Sequence, residues 1–251
     1  MPLLVDSIGN GMAIRPDFSV VGKHVLISGG TGAIGGAFAK AFLDHGAHVI
    51  VADLAASKDG TDPRLRYEQL DVRDDAAVEA LARRIEELDV VIHCAGRLAR
   101  WEEYKPEVFK EILDIHLVGN LRLANAFRSH LKESKGCLIN IGSIYSYFGA
   151  PQAPAYSAAK SAVVSLTRSL EISFAQDGIR VNAIAPGWIK TEFSRAGREN
   201  PEFNRKVVAR IPGGEWAEAE DLAGTVIFLA SPAAKLINGA TIPVDGGYIA
   251  S

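Results

Sequence analysis

Short apolar runs alternate with segments of helical periodicity along most of this chain. The runs that predict strands are residues 25–27, 48–52, 90–92, 138–141, 181–184 and 240–244. Apolar side chains recur at helical spacing in residues 33–45, 105–131, 155–176 and 218–230. Almost continuously apolar strands between helices are typical of a parallel sheet that is covered on both faces. The pattern therefore predicts an α/β fold, with a doubly wound parallel sheet in three layers, αβα.

No linker, repeat or low-complexity tract interrupts this pattern, so we expect a single domain. Residues 1–20 are interpreted as an N-terminal arm, and residues 21–251 as the domain itself. Residues 187–216 have weak periodicity and are interpreted as a long loop that serves as a substrate lid. Pro243 cannot donate a backbone hydrogen bond, so the last apolar run is predicted to be an edge strand.

Composition narrows the classes of function. The net charge of −3 argues against nucleic acid as the main partner. No stretch reaches the roughly 18 apolar residues of a membrane span, and residues 1–6 lack the basic segment of a signal peptide. Cys94 and Cys137 form no CxxC pair, so we expect a cytoplasmic protein. The scattered histidines have no ligand-like spacing, and we expect no metal site.

A glycine-rich segment at residues 28–36, Ser-Gly-Gly-Thr-Gly-Ala-Ile-Gly-Gly, joins the first predicted strand to the first predicted helix. Glycine lets the backbone approach a pyrophosphate, and the N-terminus of the following helix attracts the anion. Asp53 ends the second predicted strand, where a carboxylate can accept hydrogen bonds from the adenosine ribose and repels a 2′-phosphate. NAD is therefore expected as the cofactor. Lys58, Arg64 and Arg66 are close in sequence and keep NADP as the alternative.

Tyr156 and Lys160 are spaced so that both lie on one face of a helix. The lysine ammonium favours the phenolate and is expected to lower the pKa of the tyrosine from its ordinary value near ~10. Such a phenol can take a proton from an alcohol or give one to a carbonyl. Ser143, a short distance upstream, is expected to hold the substrate oxygen.

These motifs, in this order, resemble the short-chain dehydrogenase/reductase family in its compact branch, from about Phe18 to Tyr248. The resemblance implies a Rossmann-like fold and an enzyme in which Ser143, Tyr156 and Lys160 are catalytic. It also implies that the cofactor contacts Gly29, Thr31, Ala33, Ile34, Gly35, Asp53, Asp71, Val72, Cys94, Ala95, Gly96, Tyr156, Lys160, Ile189 and Thr191.

His116 is the main departure from the family, which normally has an asparagine at this position of the proton-relay chain. An imidazole can pass protons near neutral pH, so we expect His116 to be a fourth catalytic residue. A structural buried histidine and altered catalysis are the alternatives. Asn120 follows one turn later and would need a helix irregularity to substitute. Ala33, His93 and Cys94 also depart from the family pattern.

The expected activity is hydride transfer between NAD(H) and a secondary alcohol or ketone, with a polyol, sugar or hydroxy acid as the small-molecule substrate. The alternatives are a 3-oxoacyl thioester reductase that uses NADPH, a nucleotide-binding sensor without turnover, and an isomerase or lyase that uses bound NAD transiently. Family members usually pair the helices at 105–131 and 155–176 across a two-fold axis, so a homotetramer is expected, with a dimer next.

The aromatic residues Trp101, Tyr145, Tyr147 and Trp188 are candidates for the lining of the substrate pocket. Residues 187–216 also contain several arginines that could hold an anionic substrate. A solvated helix of mixed charge is the alternative interpretation of those arginines.

Overall fold

The computed structural model describes residues 15–55 and 62–251, which form a seven-stranded parallel sheet with helices on both faces. The strands are β1 His24–Ser28, β2 His48–Asp53, β3 Leu65–Gln69, β4 Val90–His93, β5 Cys137–Ile141, β6 Arg180–Pro186 and β7 Thr241–Val244. The helices are α1 Ala33–Asp44, α2 Asp75–Arg84, α3 Pro106–Leu113, α4 Gly119–Ala126, α5 Arg128–Ser134, α6 Pro154–Phe174, α7 Glu192–Arg198, α8 Pro201–Val208 and α9 Ala223–Ala230. The strand order is β3-β2-β1-β4-β5-β6-β7. The predicted doubly wound, three-layer Rossmann-like fold is therefore confirmed.

Alternate side chains of the strands supply a separate core on each face of the sheet, because successive residues of a strand point to opposite sides. In β1, Val25 and Ile27 pack with α1 and α9. Leu26, between them, packs with α2, α4 and α6. Both faces are therefore buried, which explains the nearly continuous apolar runs that predict the central strands.

The sequence prediction has no counterpart for β3 and α2. β3 is an edge strand whose side chains are half-buried or exposed, so it lacks an apolar run. α2 is capped by Asp74, whose Oδ1 accepts a hydrogen bond from the backbone N–H of Ala77 at 3.0 Å. The helix buries only a short stripe, and its apolar periodicity is correspondingly weak.

The helical pattern predicted at 105–131 is not one helix. Residues Asp114–Val118 form a π-helical turn between α3 and α4, in which the N–H of Gly119 donates to the carbonyl of Asp114. Such turns occur frequently at functional sites, and His116 lies at the centre of this one. The predicted loop at 187–216 contains two helices, α7 and α8, and so is more ordered than its weak periodicity indicates.

The N-terminal arm predicted at 1–20 is described only from residue 15 onward. The backbone N–H of Ala233 donates to the carbonyl of Asp17 at 2.8 Å, and the ring of Phe18 lies 6.0 Å from that of Phe228. Residues 15–20 therefore rest on the domain beside α9. The remainder of the predicted arm lies outside the described residues.

The site is positioned by the neighbouring strands β1 and β4. The chain continues from β1 to one side of the sheet and returns to form β4 on the other side. Ligands of such sheets bind outside the carboxyl ends of the strands at this point. Ser28 and His93 end the two strands and are paired in register. Among the described residues, no helix is both long and apolar enough to cross a membrane.

Candidate active site

The glycine-rich turn after β1 brings the backbone into close contact with β4. Gly29 has a φ of +69°, and a Cβ at this position would lie 2.5 Å from the Cα of Ala95. A Cβ on Gly35 would lie 2.4 Å from the carbonyl oxygen of Gly29. Gly32 provides no side-chain cap for α1, so the first N–H groups of this helix are donors without an intrahelical partner. The turn therefore suits the pyrophosphate of a dinucleotide.

A cleft of about 420 Å³ extends from this turn along the carboxyl edge of the sheet. Most of the predicted cofactor residues line it, namely Gly29, Thr31, Ala33, Ile34, Gly35, Asp53, Asp71, Val72, Cys94, Ala95, Gly96 and Thr191. The carboxylate of Asp53 accepts hydrogen bonds from the backbone N–H of Thr31 at 3.1 Å and from its hydroxyl at 2.5 Å. Asp53 is thereby held at the end of β2, where the adenosine ribose is expected.

Arg64 and Arg66 do not reach the part of this cleft that contains Asp53. Asp53 pairs with Gln69 in register, and Arg66 lies three residues earlier in β3, about 10 Å toward the amino edge of the sheet. Arg64 and Arg66 there form ion pairs with acidic residues close to them in sequence. Neither arginine therefore supports a 2′-phosphate, and Lys58 lies outside the described residues.

Tyr156 and Lys160 lie one turn apart near the start of α6, and Ser143 faces them from the end of β5. The Nζ of Lys160 lies 5.4 Å from the centroid of the Tyr156 ring and donates to the carbonyl of Ile141 at 2.7 Å. The hydroxyl of Ser143 accepts the backbone N–H of Tyr145 at 3.1 Å. The structure thus brings together the three residues that the sequence assigns to catalysis.

Burial dominates the ionisation of this pair. It raises the pKa of Tyr156 to about 12, and the neighbouring hydroxyl of Ser143 opposes this rise. Burial also lowers the pKa of Lys160 to about 8. The expectation of a lowered pKa for Tyr156 is therefore wrong for the protein alone, because burial of the phenol penalises its charged form.

His116 lies against Tyr156, with the two rings edge to face and their centroids 5.1 Å apart. Its Nε2 lies 2.9 Å from the carbonyl oxygen of Arg97, and its Nδ1 has no hydrogen-bond partner among the described residues. Burial, followed by the charge of Lys160, holds the pKa of His116 well below its ordinary value. At neutral pH the ring is therefore neutral, with one donor and one acceptor nitrogen. A relay through His116 would have to exchange a proton between these nitrogens.

His93 has a structural explanation for its departure from the family pattern. Its Nε2 lies 3.0 Å from the carbonyl of Ile115, which can only accept, so Nε2 carries the hydrogen. Nδ1 then accepts from the hydroxyl of Ser28 at 2.7 Å. Burial lowers the pKa of His93 to about 3, so this neutral ring ties β1 and β4 to the π-turn. Asn120 is buried on α4, with no side-chain hydrogen bond among the described residues.

A second cleft, of about 140 Å³, opens beside Tyr156 and Ser143. Ile34 and Thr191 line this cleft as well as the first, and Ile189 lines its wall, so the two clefts meet where the nicotinamide is expected. Lys160 and His116 are buried behind Tyr156 and line neither cleft.

The lining of the second cleft is largely apolar and includes several aromatic side chains. Tyr145 and Trp188 line it as predicted, whereas Trp101 and Tyr147 do not and are exposed. Arg100 is the one charged residue of the lining. The lid arginines do not enter the lining; Arg195, for example, pairs with an acidic residue of α7.

Arg100 was not among the candidate residues of the sequence analysis. It lies on a 3-10 turn, Arg100–Tyr104, that leads into α3. Its φ of +52° is rare for a residue with a side chain. One guanidinium nitrogen donates to the carbonyl of Phe193 at 3.0 Å, which ties this turn to α7.

Known proteins with similar sequences and structures are oxidoreductases. The chain matches the family model described as Enoyl-(Acyl carrier protein) reductase over residues 30–249. It is 35% identical over 245 residues to 2-dehydro-3-deoxy-D-gluconate 5-dehydrogenase of Bacillus subtilis (strain 168), with 92% of this chain and 96% of the relative covered. It is 34% identical over 243 residues to meso-2,3-butanediol dehydrogenase of Serratia marcescens, with 91% and 95% covered. The solved structure of a gluconate 5-dehydrogenase from Burkholderia cenocepacia J2315, in complex with NADP and tartrate, matches with a TM-score of 0.88 and 30% identity, covering 94% of this chain and 98% of that one.

Proposed function

The chain belongs to the short-chain dehydrogenase/reductase family, and we propose that it transfers hydride between NAD(H) and a secondary alcohol or ketone of a hydroxy acid or polyol. The observation that carries this proposal is the place of Tyr156 and Ser143. Both line the smaller cleft, which joins the nucleotide cleft at Ile34 and Thr191. A substrate in the smaller cleft would therefore contact an acid–base group and a hydroxyl next to the nicotinamide.

Each catalytic side chain has a distinct role in this proposal. The nicotinamide nucleotide supplies a carbon that accepts or releases hydride. The hydroxyl of Ser143 accepts from the backbone of Tyr145, so its own hydrogen remains for the substrate oxygen. Tyr156 takes the alcohol proton during oxidation and returns it during reduction. Lys160, which is buried behind Tyr156, supports the phenolate, and His116 passes the proton onward.

Arg100 defines the class of substrate. Within the described residues we find one hydrogen bond of its guanidinium, to the carbonyl of Phe193. Its remaining N–H groups suit a carboxylate, which arginine binds with two parallel hydrogen bonds. The relatives named for gluconate derivatives act on molecules with a carboxylate and several hydroxyls, and this supports a polyhydroxy acid as the substrate.

Arg100→Met is expected to lower kcat/KM for hydroxy acids by roughly 10- to 100-fold, the range for a lost charge-assisted hydrogen bond. Neutral polyols should be affected much less. The measurement is NADH formation with a panel of sugar acids, hydroxy acids and polyols. Arg195→Met removes an exposed lid arginine and serves as the matched control. Equal losses on acids and polyols would contradict a carboxylate site, and NADH binding without turnover on any substrate would favour a nucleotide sensor.

Asp53 supports NAD as the cofactor, although the solved relative holds NADP. We expect Asp53→Asn to raise the ratio of kcat/KM with NADP⁺ to kcat/KM with NAD⁺ by roughly 10-fold or more. The substitution removes one negative charge that repels a 2′-phosphate. Asp44→Asn makes the same change of charge at the far end of α1 and should leave this ratio unchanged. A wild-type enzyme that prefers NADP⁺ would overturn the assignment.

A homotetramer remains part of the proposal. Val118, at the end of the π-helical turn, and Leu121 in α4 are exposed apolar side chains, and Ile172 on α6 is 76% exposed. Exposed apolar residues on these helices support pairing of chains through them. A mass of one chain, measured by light scattering at micromolar concentration, would contradict this assembly.

A further inference from the structure

Glu103 is a buried acidic residue that has no role in the hydride and proton transfer of the proposed function. Among the described residues it is the one acidic side chain with no exposed surface, and no cation pairs with it there. Burying a carboxylate is costly unless hydrogen bonds replace its contacts with water. The surroundings of Glu103 therefore show what balances its charge.

Both oxygens of Glu103 accept hydrogen bonds from the backbone. Oε1 accepts from the N–H of Ala99 at 3.0 Å, and Oε2 accepts from the N–H of Tyr156 at 2.9 Å. A carboxylate that accepts at both oxygens is suited to its ionised form. Tyr156 belongs to the first turn of α6, a helix of 21 residues whose N-cap, Ala153, offers no side-chain acceptor. Glu103 thus caps this helix from another segment, where the helix dipole favours negative charge.

The two hydrogen bonds connect the two halves of the substrate site. Ala99 directly precedes Arg100, whose positive φ carries its guanidinium into the substrate cleft. Tyr156, which carries the phenol, lines the same cleft. The side chain of Glu103 therefore links two segments. One is the turn that carries Arg100, the proposed partner of the substrate carboxylate, and the other is helix α6, which carries the acid–base residue Tyr156.

We propose that Glu103 is a positioning residue for the reaction, because its carboxylate fixes Tyr156 and Arg100 relative to each other. A negative charge held against the backbone of Tyr156 also opposes ionisation of the phenol. This proposal rests on the proposed function of Tyr156. The direction of the charge effect agrees with the pKa of Tyr156, which burial raises and which Glu103 raises further.

The other ionisable groups around the phenol come from three elements. Lys160 lies on α6 itself, His116 lies on the π-turn, and Tyr145 lies beside Ser143, with its ring centroid 6.2 Å from that of Tyr156. His116 is neutral, and the pKa of Tyr145 is raised by burial. Glu103 is therefore the negative charge next to Tyr156, and it adds to the rise in the pKa of Tyr156 that burial causes.

Glu103→Gln separates this role from a structural one. An amide can accept from one of the two N–H groups but presents its own N–H to the other, so we expect kcat for alcohol oxidation to fall roughly 10-fold. Oxidation needs the phenolate, and removal of a negative charge makes the phenolate easier to form. The rising limb of kcat against pH should therefore move to lower pH by about one unit, the size of a unit-charge effect at several ångströms.

Glu102→Gln is the matched control. Glu102 lies on the same turn, is exposed and pairs with Lys105, so its replacement changes the same charge without touching Tyr156. Its pH profile and kcat should equal those of the wild type. If the rising limb of kcat against pH stays in place in Glu103→Gln, or moves equally in both variants, the proposal is overturned. The proposed function would remain intact.

A second variant keeps the experiment decisive if Glu103→Gln does not fold. Glu103→Asp retains the charge but is too short to reach both N–H groups, so kcat should fall while the pH limb stays in place. A wild-type kcat in this variant would reject the positioning role. Tyrosinate absorbance of the holoenzyme, read as a difference against Tyr156→Phe, reports ionisation of this phenol without turnover. It decides the charge effect even if the proposed function fails.

Discussion

Tyr156→Phe is expected to reduce turnover by at least ~10²-fold, the contribution of a positioned acid–base group. The variant keeps the aromatic ring that packs edge to face against His116, so cofactor binding and folding should be nearly unchanged. Tyr147→Phe removes a hydroxyl from an exposed tyrosine near the same site, and it should retain wild-type turnover. Turnover and the Kd for NADH, measured for both variants, decide the assignment.

The pH dependence of the wild type and of Tyr156→Phe gives an independent check on the role of Tyr156. The pKa of Tyr156 is about 12 in the protein alone, so the phenolate is scarce at neutral pH. Because oxidation needs the phenolate, the wild-type rate of oxidation should rise as the pH increases toward 12. Reduction needs the protonated phenol, so its rate should slow only as the pH approaches 12. Residual activity of Tyr156→Phe should lack this rise. A variant that kept both wild-type turnover and the wild-type profile would remove Tyr156 from the mechanism.

Gly96→Ala is expected to lower the free energy of unfolding by about 1–3 kcal/mol, the usual cost of overpacking. The new Cβ would lie 2.4 Å from Cε1 of His116 and 3.2 Å from each ring nitrogen. The imidazole would have to move, and Tyr156 packs against it. We therefore expect kcat to fall as well, by roughly 10-fold for a displaced catalytic group. Chemical denaturation and steady-state kinetics measure the two effects.

The cause of the stability lost in Gly96→Ala can be isolated with a second substitution. His116→Ala removes the ring that the new methyl group would strike, so Gly96→Ala should cost much less stability in that background than in the wild type. Such non-additivity is expected for residues in contact. Gly149→Ala, at an exposed glycine with no atom within 4 Å of the added Cβ, should be nearly neutral. Additive effects of the substitutions at 96 and 116 would show that the imidazole is not the obstacle.

The sequence makes His116 a candidate for the site, but it does not predict the ionisation of this residue. Its spacing from the other motifs makes it a candidate, and in the structure its ring lies beside that of Tyr156. Its ionisation could not be predicted in the same way, because the pKa depends on burial and on Lys160, which is distant in sequence. The same holds for Tyr156, whose pKa was expected to fall and instead rises.

Arg100 and Glu103 are residues of the site that the sequence does not indicate. Neither belongs to a recognisable motif, and in the sequence Glu103 is simply one of two adjacent acidic residues. Their importance arises from contacts across the fold: Glu103 reaches Tyr156 over 53 positions of sequence, and Arg100 reaches Phe193 over 93. No local pattern encodes these contacts. They exist only after the sheet has brought the ends of its strands together.

The sequence by itself determined the central strands of the sheet, the glycine-rich turn and the three central catalytic candidates. Buried strands, tight turns and helix faces impose periodic or steric requirements that neighbouring residues must satisfy, and such requirements are visible locally. The tertiary structure alone decided the polar edge strand β3, the π-turn around His116, the charge states of the buried groups and the side chains that line the substrate cleft. These depend on desolvation and on contacts between distant segments, because the energy of a buried charge or an unpaired polar group is set by everything packed around it.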